Sequence, residues 1–255
     1  MSNYHIKGLE EYFNVYRKSV SNPEEFWAEI AEEHFIWRKK WDKVLDWDFT
    51  KPEIKWFENA KLNITENCID RHLLTKGNQT AILFEPNDPK EEAEHITYYQ
   101  LHERVNRMAN VLKEQGVKKG DRVCVYLPMI PELAITVLAC ARIGAVHSVV
   151  FAGFSASALA SRIVDCDAKI VVTSDGSYRG AKTIDLKSIV DEALQSCDGV
   201  NTVLVAKRIN SDIAMQEGRD KWLQPLLDSA SVDCAPEIMD AEDPLYNWST
   251  SGSTG

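Results

Sequence analysis

Strand-like and helix-like patterns alternate between residues 97 and 206, and this alternation limits the possible folds more than any other feature of the chain. Short apolar runs alternate with longer segments in which apolar residues recur every three or four positions. The predicted strands are Arg122 to Leu127, Ala145 to Phe151, Lys169 to Thr173 and Thr202 to Ala206. Strands that alternate with helices over short connections predict an α/β fold, in which a parallel sheet is flanked by helices on both faces.

Local signals mark where several predicted helices begin and end. Thr97 to Gln100 fits a capping box at the start of the first of them. Pro131 opens an apolar helix that Gly144 ends, and Ser155 can cap the next helix. A further surface helix is predicted at Arg219 to Ser229. The helices that begin near Pro131 and Ser155 therefore fall between predicted strands, as the α/β pattern requires.

The beginning of the chain is rich in tryptophan, with five of the seven tryptophans at positions 27, 37, 41, 47 and 56. Asn22 to Glu25 has the features of a helix start. The helical face predicted to follow it comprises Phe26, Ile30, Trp37 and Trp41. We interpret this face as one that packs onto the neighbouring domain, and an aromatic ligand cage is the alternative. The sequence thus predicts a mainly helical amino-terminal cap at residues 1–76 and an α/β subdomain at residues 77–255.

Charge and composition exclude several classes of partner. The net charge is −10 and no run is rich in lysine or arginine, so we expect no nucleic-acid partner. The most apolar stretch, Val123 to Phe151, is interrupted by prolines and charged residues and lacks the roughly 20 apolar residues of a membrane helix. We therefore expect no membrane partner. Six scattered cysteines without a Cys-x-x-Cys pattern favour reduced thiols and a cytoplasmic location.

Three glycine-containing loops follow strand-like segments, and sheets of this kind bind ligands at the carboxyl ends of their strands. They are residues 152–155, residues 174–182 and the final run Ser249 to Gly255. The final run combines five hydroxyl side chains with two glycines, which lets backbone N–H groups and hydroxyls approach a phosphate. It is not a Walker A motif, and a flexible Gly/Ser tail is the alternative. The loop after Ala206 is less promising, because no glycine follows before Gly218.

Motifs spread over nearly the whole chain carry a resemblance to a known family. They lie at residues 56–63, 67–73, 97–98, 120–123, 126–132, 141–147, 150–155 and 250–255. Two of them, Tyr126-Leu127-Pro128-Met129-Ile130-Pro131-Glu132 and Ala141-Arg142-Ile143-Gly144-Ala145-Val146-His147, closely resemble motifs of acetate-type acyl-CoA synthetases. Together they resemble AMP-forming acetyl-CoA synthetases, within the adenylate-forming ligases.

The resemblance implies a two-step ligation whose small-molecule substrates are acetate, ATP and coenzyme A, with Mg²⁺ accompanying the nucleotide. Acetate attacks the α-phosphorus of ATP to give acetyl-adenylate and pyrophosphate, and the thiol of coenzyme A then takes the acetyl group. A carboxylate is a poor acyl donor, and AMP supplies a good leaving group. Oriented N–H groups and hydroxyls near the departing pyrophosphate favour the first transition state.

The resemblance also implies which residues bind these ligands. It assigns ATP phosphate binding to Thr250, Ser251, Gly252, Ser253, Thr254 and Gly255. It places coenzyme A near Phe151, Gly153, Arg179, Gly180, Ala181 and Lys182. The two cations suit the 3′-phosphate, since arginine binds phosphate bidentately and lysine binds it as a point charge, and a solvated Arg/Lys turn is the alternative. No catalytic residue and no metal ligand can be named in this stretch.

Two departures from the family pattern precede the final loop. Asn247 is polar where the family has an apolar strand, and Ser249 stands where the family has tyrosine, so we expect the strand before the loop to be frayed or displaced. Family members also continue past this loop with the acyl pocket and a mobile carboxy-terminal domain. We therefore expect the 255-residue chain, as an amino-terminal fragment, to be inactive alone and to self-associate through uncovered apolar surface.

Two other classes of function stay open. The chain could be a stand-alone doubly wound protein that binds a nucleotide or coenzyme A without catalysis. It could also be a folded fragment that serves only as an interaction surface. Ligand binding without turnover would distinguish the first from the second.

Overall fold

The computed structural model of the protein describes residues 6–249. The chain divides into two compact units, one extending to Leu62 and including Ile238–Asp243, the other comprising Asn63–Glu237 and resuming at Pro244. The first unit is therefore built from two segments that are far apart in sequence. The division predicted from the sequence, after residue 76, stays a prediction.

The helices and strands of the described residues have the following bounds. The helices are α1 (Leu9–Ser21), α2 (Pro23–His34), α3 (Ile64–Cys68), α4 (Leu73–Lys76), α5 (Tyr98–Glu114), α6 (Pro131–Ile143), α7 (Ala156–Asp165), α8 (Leu186–Leu194) and α9 (Leu223–Ser229), with a 3-10 turn at Asp70–His72. The strands are β1 (Lys43–Asp48), β2 (Glu53–Glu58), β3 (Lys61–Leu62), β4 (Thr80–Phe84), β5 (Glu94–Thr97), β6 (Arg122–Tyr126), β7 (Val146–Val149), β8 (Ile170–Ser174), β9 (Ser177–Arg179), β10 (Lys182–Ile184), β11 (Thr202–Ala206), β12 (Asp220–Trp222), β13 (Met239–Asp240) and β14 (Tyr246–Asn247).

The first unit combines two helices with short antiparallel strand pairs. Helices α1 and α2 are followed by the β1–β2 hairpin, in which Leu45 lies opposite Trp56. Strand β13 pairs with β3 and brings Met239 opposite Leu62. An ion pair of 2.5 Å between Lys61 Nζ and Asp240 Oδ2 supports that pairing.

The prediction that Trp37 and Trp41 continue the aromatic face of α2 was wrong. The helix ends at His34, because Phe35 takes an extended conformation, so Trp37 and Trp41 lie beyond it. The indole N–H of Trp37 donates to the carbonyl oxygen of Ala31 at 2.9 Å, and the same carbonyl accepts from the Phe35 backbone N–H at 3.2 Å. The two indoles then pack edge to face, with their centroids 5.2 Å apart.

The second unit contains a six-stranded sheet in the order β12-β11-β8-β6-β7-β14, and every pair in it is parallel. All residues of β8 and β11 are buried, as expected for strands covered on both faces. Alternate residues of β6 enter separate cores: Val123 packs with residues of α5, α6 and α9, and Cys124 with residues of α7 and α8. The predicted α/β fold is confirmed.

The predicted start of α5 and the predicted end of α6 are also confirmed. Thr97 accepts a hydrogen bond from the Gln100 backbone N–H at 3.3 Å, and the Gln100 side chain accepts from the Thr97 N–H at 2.9 Å. Gly144 ends α6 with φ +70°, a conformation that glycine adopts without strain. Among the described residues, the structure holds no helix with the length and apolar character to cross a membrane.

The edges of the sheet differ from the sequence prediction. Asp220–Trp222, predicted as the start of a surface helix, forms β12, and helix α9 begins only at Leu223. At the other edge β14 pairs with β7, so Asn247 lies opposite Ser148. An edge strand has one free side, which lets a half-buried position such as Asn247 tolerate a polar side chain.

A candidate ligand cavity at the carboxyl ends of the strands

A cavity of about 710 Å³ lies at the carboxyl ends of the parallel strands in the second unit. Segments following β6, β7 and β8 line it, together with residues of β14 and of the β9–β10 hairpin. Strand β6 connects to β7 on one side of the sheet and β8 connects to β11 on the other, so the strand order reverses between β6 and β8. Open α/β sheets bind ligands at such a reversal.

The loop after β7 presents an aromatic ring to the cavity. Phe151 is 65% exposed although it lines the cavity wall. Gly153 lies under this ring, and a Cβ added there would be 2.4 Å from Phe151 Cε1. The loop is fixed from below by the buried Tyr126, whose hydroxyl donates to the carbonyl oxygen of Phe154 at 2.8 Å. The loop therefore offers a flat apolar surface on a rigid base.

The β9–β10 hairpin presents two positive charges beside the cavity. Its strands are joined by the two-residue turn Gly180-Ala181, and Gly180 has φ +61°, which favours glycine. Arg179 and Lys182 are cross-strand partners in the hairpin register, and both are exposed. Within residues 6–249 neither side chain forms an ion pair, so their charge is available to an anion.

The structure brings together part of the predicted coenzyme A site. Phe151, Gly153 and Arg179 all line the cavity, and Gly180, Ala181 and Lys182 continue from Arg179 around the hairpin turn. The predicted ATP phosphate loop, Thr250 to Gly255, lies outside the described residues. Trp248, two positions before that loop, lines the cavity.

Sequence reasoning missed Arg208, which lies in the loop after β11 and lines the cavity. Its guanidinium is 5.0 Å from the centroid of the Tyr178 ring and 5.7 Å from that of Phe84. It also donates to Glu91 Oε2 at 2.8 Å. The absence of a nearby glycine made this loop look unpromising. The available signal was an arginine two positions after the last residue of a buried strand.

Sequence reasoning also missed His147, which lies in β7 and lines the cavity. Its ring stacks on that of Tyr246 with the centroids 5.9 Å apart. Burial lowers the pKa of His147 below its usual value of 6.5, so the imidazole is neutral at physiological pH. Its buried Nδ1 atom has no hydrogen-bond partner among the described residues.

Comparison with known proteins assigns the chain to a family. Residues 69–255 match the family model described as "AMP-binding enzyme". The chain belongs to the AMP-binding enzyme family. Residues 12–68 match a second model, described as "Acetyl-coenzyme A synthetase N-terminus". The two matches together cover most of the chain.

Several curated relatives are similar to the chain along nearly all of its length. The acetyl-coenzyme A synthetase of Halorhodospira halophila is 54% identical over 247 residues, which cover 97% of this chain and 38% of that protein. The acetyl-coenzyme A synthetase of Magnetococcus marinus is 53% identical over 246 residues, which cover 96% of this chain and 38% of that protein. The chain thus spans about 38% of the length of these curated relatives.

The fold is shared with a solved structure. The acetoacetyl-CoA synthetase from Streptomyces lividans superposes with a TM-score of 0.81 at 26% identity. The match covers 90% of this chain and 34% of that protein. It supports the resemblance to adenylate-forming ligases that the sequence motifs indicated.

Proposed function

We propose that this chain is the amino-terminal part of an acetate–CoA ligase, which activates acetate with ATP to acetyl-adenylate and transfers the acetyl group to coenzyme A. The observation that carries the proposal is the cavity that combines Phe151, Gly153 and Arg179 at the carboxyl ends of the strands. Support comes from relatives named acetyl-coenzyme A synthetase that are more than 50% identical to the chain.

The nucleotide portion of coenzyme A fits the chemistry of this cavity. A volume of about 710 Å³ is within the usual range for small-molecule sites. The exposed ring of Phe151 and the side chain of Ile184 line it and offer apolar surface to an adenine. Arg179 and Lys182 would hold the 3′-phosphate, since no acidic side chain within the described residues neutralises them. Bound there, coenzyme A would supply the thiol for the second step.

ATP is proposed to bind through the hydroxyls and backbone N–H groups of Thr250, Ser251, Gly252, Ser253, Thr254 and Gly255. The support for this assignment is the family match, which includes these residues, and the position of Trp248 at the cavity. Mg²⁺ would neutralise charge on the nucleotide phosphates. Among the described residues no group of three or more His, Cys, Asp or Glu side chains could hold a metal ion, so no metal ligand is assigned.

We also propose that the 255-residue chain is cytoplasmic, self-associates and does not catalyse ligation alone. The chain spans about 38% of its relatives' length, and catalysis of this kind depends on positioning several groups at once. Exposed apolar side chains such as Met129 and Trp248 favour self-association. Acetate-dependent exchange of pyrophosphate into ATP above background, measured on the purified chain, would contradict the proposed inactivity.

Titration calorimetry with coenzyme A and with 3′-dephospho-coenzyme A tests the proposed site. We expect the chain to bind coenzyme A about tenfold more tightly than 3′-dephospho-coenzyme A, and we expect Arg179→Ala to abolish that difference. Lys113→Ala, at an exposed position of α5 away from the cavity, is the control and should change neither affinity. No binding of either ligand would contradict the site, and equal affinities in the wild type would contradict the 3′-phosphate assignment.

A further inference from the structure

We propose that a buried carboxylate, Asp175, together with Arg208, positions the β9–β10 hairpin so that Arg179 faces the cavity. This inference rests on the proposed coenzyme A site and adds two residues that do not belong to the predicted set. Asp175 follows β8 directly and is 0% exposed. A buried carboxylate is costly unless hydrogen bonds compensate for the lost water. Its partners therefore indicate what it stabilises.

Asp175 accepts four backbone hydrogen bonds, and three of them come from the loop after β11. Its Oδ1 accepts from the N–H groups of Arg208 at 2.7 Å and Ile209 at 3.1 Å, and its Oδ2 accepts from the N–H of Ser211 at 3.2 Å. The fourth comes from the N–H of Gly176 at 2.8 Å. Hydrogen bonds to a charged acceptor are stronger than neutral ones. One carboxylate thus joins the loops that follow two neighbouring strands.

Close packing fixes the base of the hairpin against the same loop. A Cβ added to Gly176 would lie 2.3 Å from Ile209 Cδ1 and 2.8 Å from the carbonyl oxygen of Ile184. Ile184 is the last residue of β10, so Gly176 is enclosed between the hairpin and the loop. The hydroxyl of Ser174 also donates to the carbonyl oxygen of Gly176 at 2.8 Å. The hairpin therefore has little freedom to rotate about its base.

Arg208 extends this support along the hairpin. Its backbone N–H binds Asp175, and its guanidinium stacks over the ring of Tyr178, the residue before Arg179. The same guanidinium also donates to Glu91 Oε2 at 2.8 Å. A stacked guanidinium restrains the ring more than a lysine ammonium would, because it is planar. The carboxylate and the stacked arginine together fix the direction in which Arg179 leaves the hairpin.

The test compares Asp175→Asn with Asp220→Asn in the 255-residue chain. Asp220 is a matched control, because its side chain is also 0% exposed, but its ion pairs are with Lys187 and Arg219 rather than with residues 208–211 or the hairpin. Hydrogen exchange of the amides at residues 177–184 reports on the hairpin without any ligand. Calorimetry with coenzyme A, at a temperature where circular dichroism shows both variants folded, reports on the site.

We expect Asp175→Asn to accelerate exchange in the hairpin and to weaken coenzyme A binding by about tenfold, because an amide cannot accept all four hydrogen bonds. Asp220→Asn should leave both unchanged even if it lowers the unfolding temperature. Arg208→Lys keeps the charge and the backbone N–H but loses the stack, so it should weaken binding while the exchange of the Gly176 amide stays protected.

Unchanged exchange in the Asp175→Asn hairpin would overturn the inference, and so would faster exchange with unchanged affinity for coenzyme A. If the two Asp→Asn variants weaken binding equally, the effect is general destabilisation and the inference is wrong. A wild-type chain that does not bind coenzyme A would overturn the proposed coenzyme A site. The exchange data would then still decide whether Asp175 restrains the hairpin.

Discussion

Arg179 and Lys182 lie opposite each other in the register of the β9–β10 hairpin, separated along the chain only by Gly180 and Ala181. Cross-strand partners project from the same face, so two positive side chains share one face of the hairpin. Like charges in this arrangement repel, and an anion bound between them relieves the repulsion. This relationship favours a phosphate ligand over a purely structural turn.

The hairpin turn depends on the conformation of Gly180. Its φ of +61° is unfavourable for any residue with a Cβ, although a Cβ there would meet no atom within 4 Å. We expect Gly180→Ala to destabilise the hairpin by about 1 kcal/mol and to weaken coenzyme A binding, measured by calorimetry. Gly8→Ala is the control, because Gly8 also has free space but an extended φ of 173°. If Gly180→Ala and Gly8→Ala changed stability and coenzyme A affinity equally, backbone strain at Gly180 would not be the cause.

Gly153 is expected to matter through the ring of Phe151. Gly153→Ala adds a Cβ 2.4 Å from Phe151 Cε1, so the exposed ring must move away. We expect weaker coenzyme A binding and almost no change in the unfolding temperature, because an exposed side chain can rotate at little cost. In a Phe151→Ala background the same substitution should have no further effect on affinity. An additive loss in the double variant would contradict this explanation.

Arg142 is expected to stabilise the second unit rather than to bind ligand. Its buried guanidinium donates to the carbonyl oxygen of Cys234 at 2.7 Å, to Asp70 Oδ1 at 3.0 Å and to Thr65 Oγ1 at 3.1 Å. We expect Arg142→Met to lower the free energy of unfolding by about 3–5 kcal/mol, because it leaves buried acceptors without a partner. Urea denaturation measures this change.

The control for Arg142 is Arg104→Met, which removes a partly exposed ion pair with Glu94. Exposed pairs contribute little, so we expect a loss below about 1 kcal/mol. A similar loss of unfolding free energy in both variants would show that the buried Arg142 stabilises the fold no more than the partly exposed Arg104 does.

His147 should make the stability of the chain sensitive to acid. Burial lowers its pKa in the folded state below the unfolded value of 6.5. Between these two values the unfolded state binds the proton and the folded state does not, so the free energy of unfolding falls as the pH falls below 6.5. His147→Gln removes this contribution. The stability difference between wild type and variant should therefore be constant above pH 7 and change on acidification, as thermal unfolding at pH 7.5 and pH 5 would reveal. A stability difference between wild type and His147→Gln that does not depend on pH would contradict this role of His147.

Local patterns in the sequence were sufficient for much of the second unit. The apolar runs at β6, β8 and β11 and the capping box at Thr97 predicted elements that the structure contains. These features depend on residues close together in the chain. A strand buried on both faces is marked by its continuous apolar run, and a helix start is marked by a single capping box. The same locality explains the error in α2. Helical periodicity continued through Trp37, but Phe35 takes an extended conformation and the Trp37 indole folds back to bind the carbonyl of Ala31.

The sequence by itself determined the fold class and the motifs that resemble the family, because both follow from runs of neighbouring residues. Only the tertiary structure decided which side chains share the cavity. Arg208 contacts Tyr178 from a loop whose backbone binds Asp175, and β13 belongs to the first unit, where Met239 lies opposite Leu62. Contacts between such distant segments depend on strand order and loop direction. No local pattern in the chain encodes them.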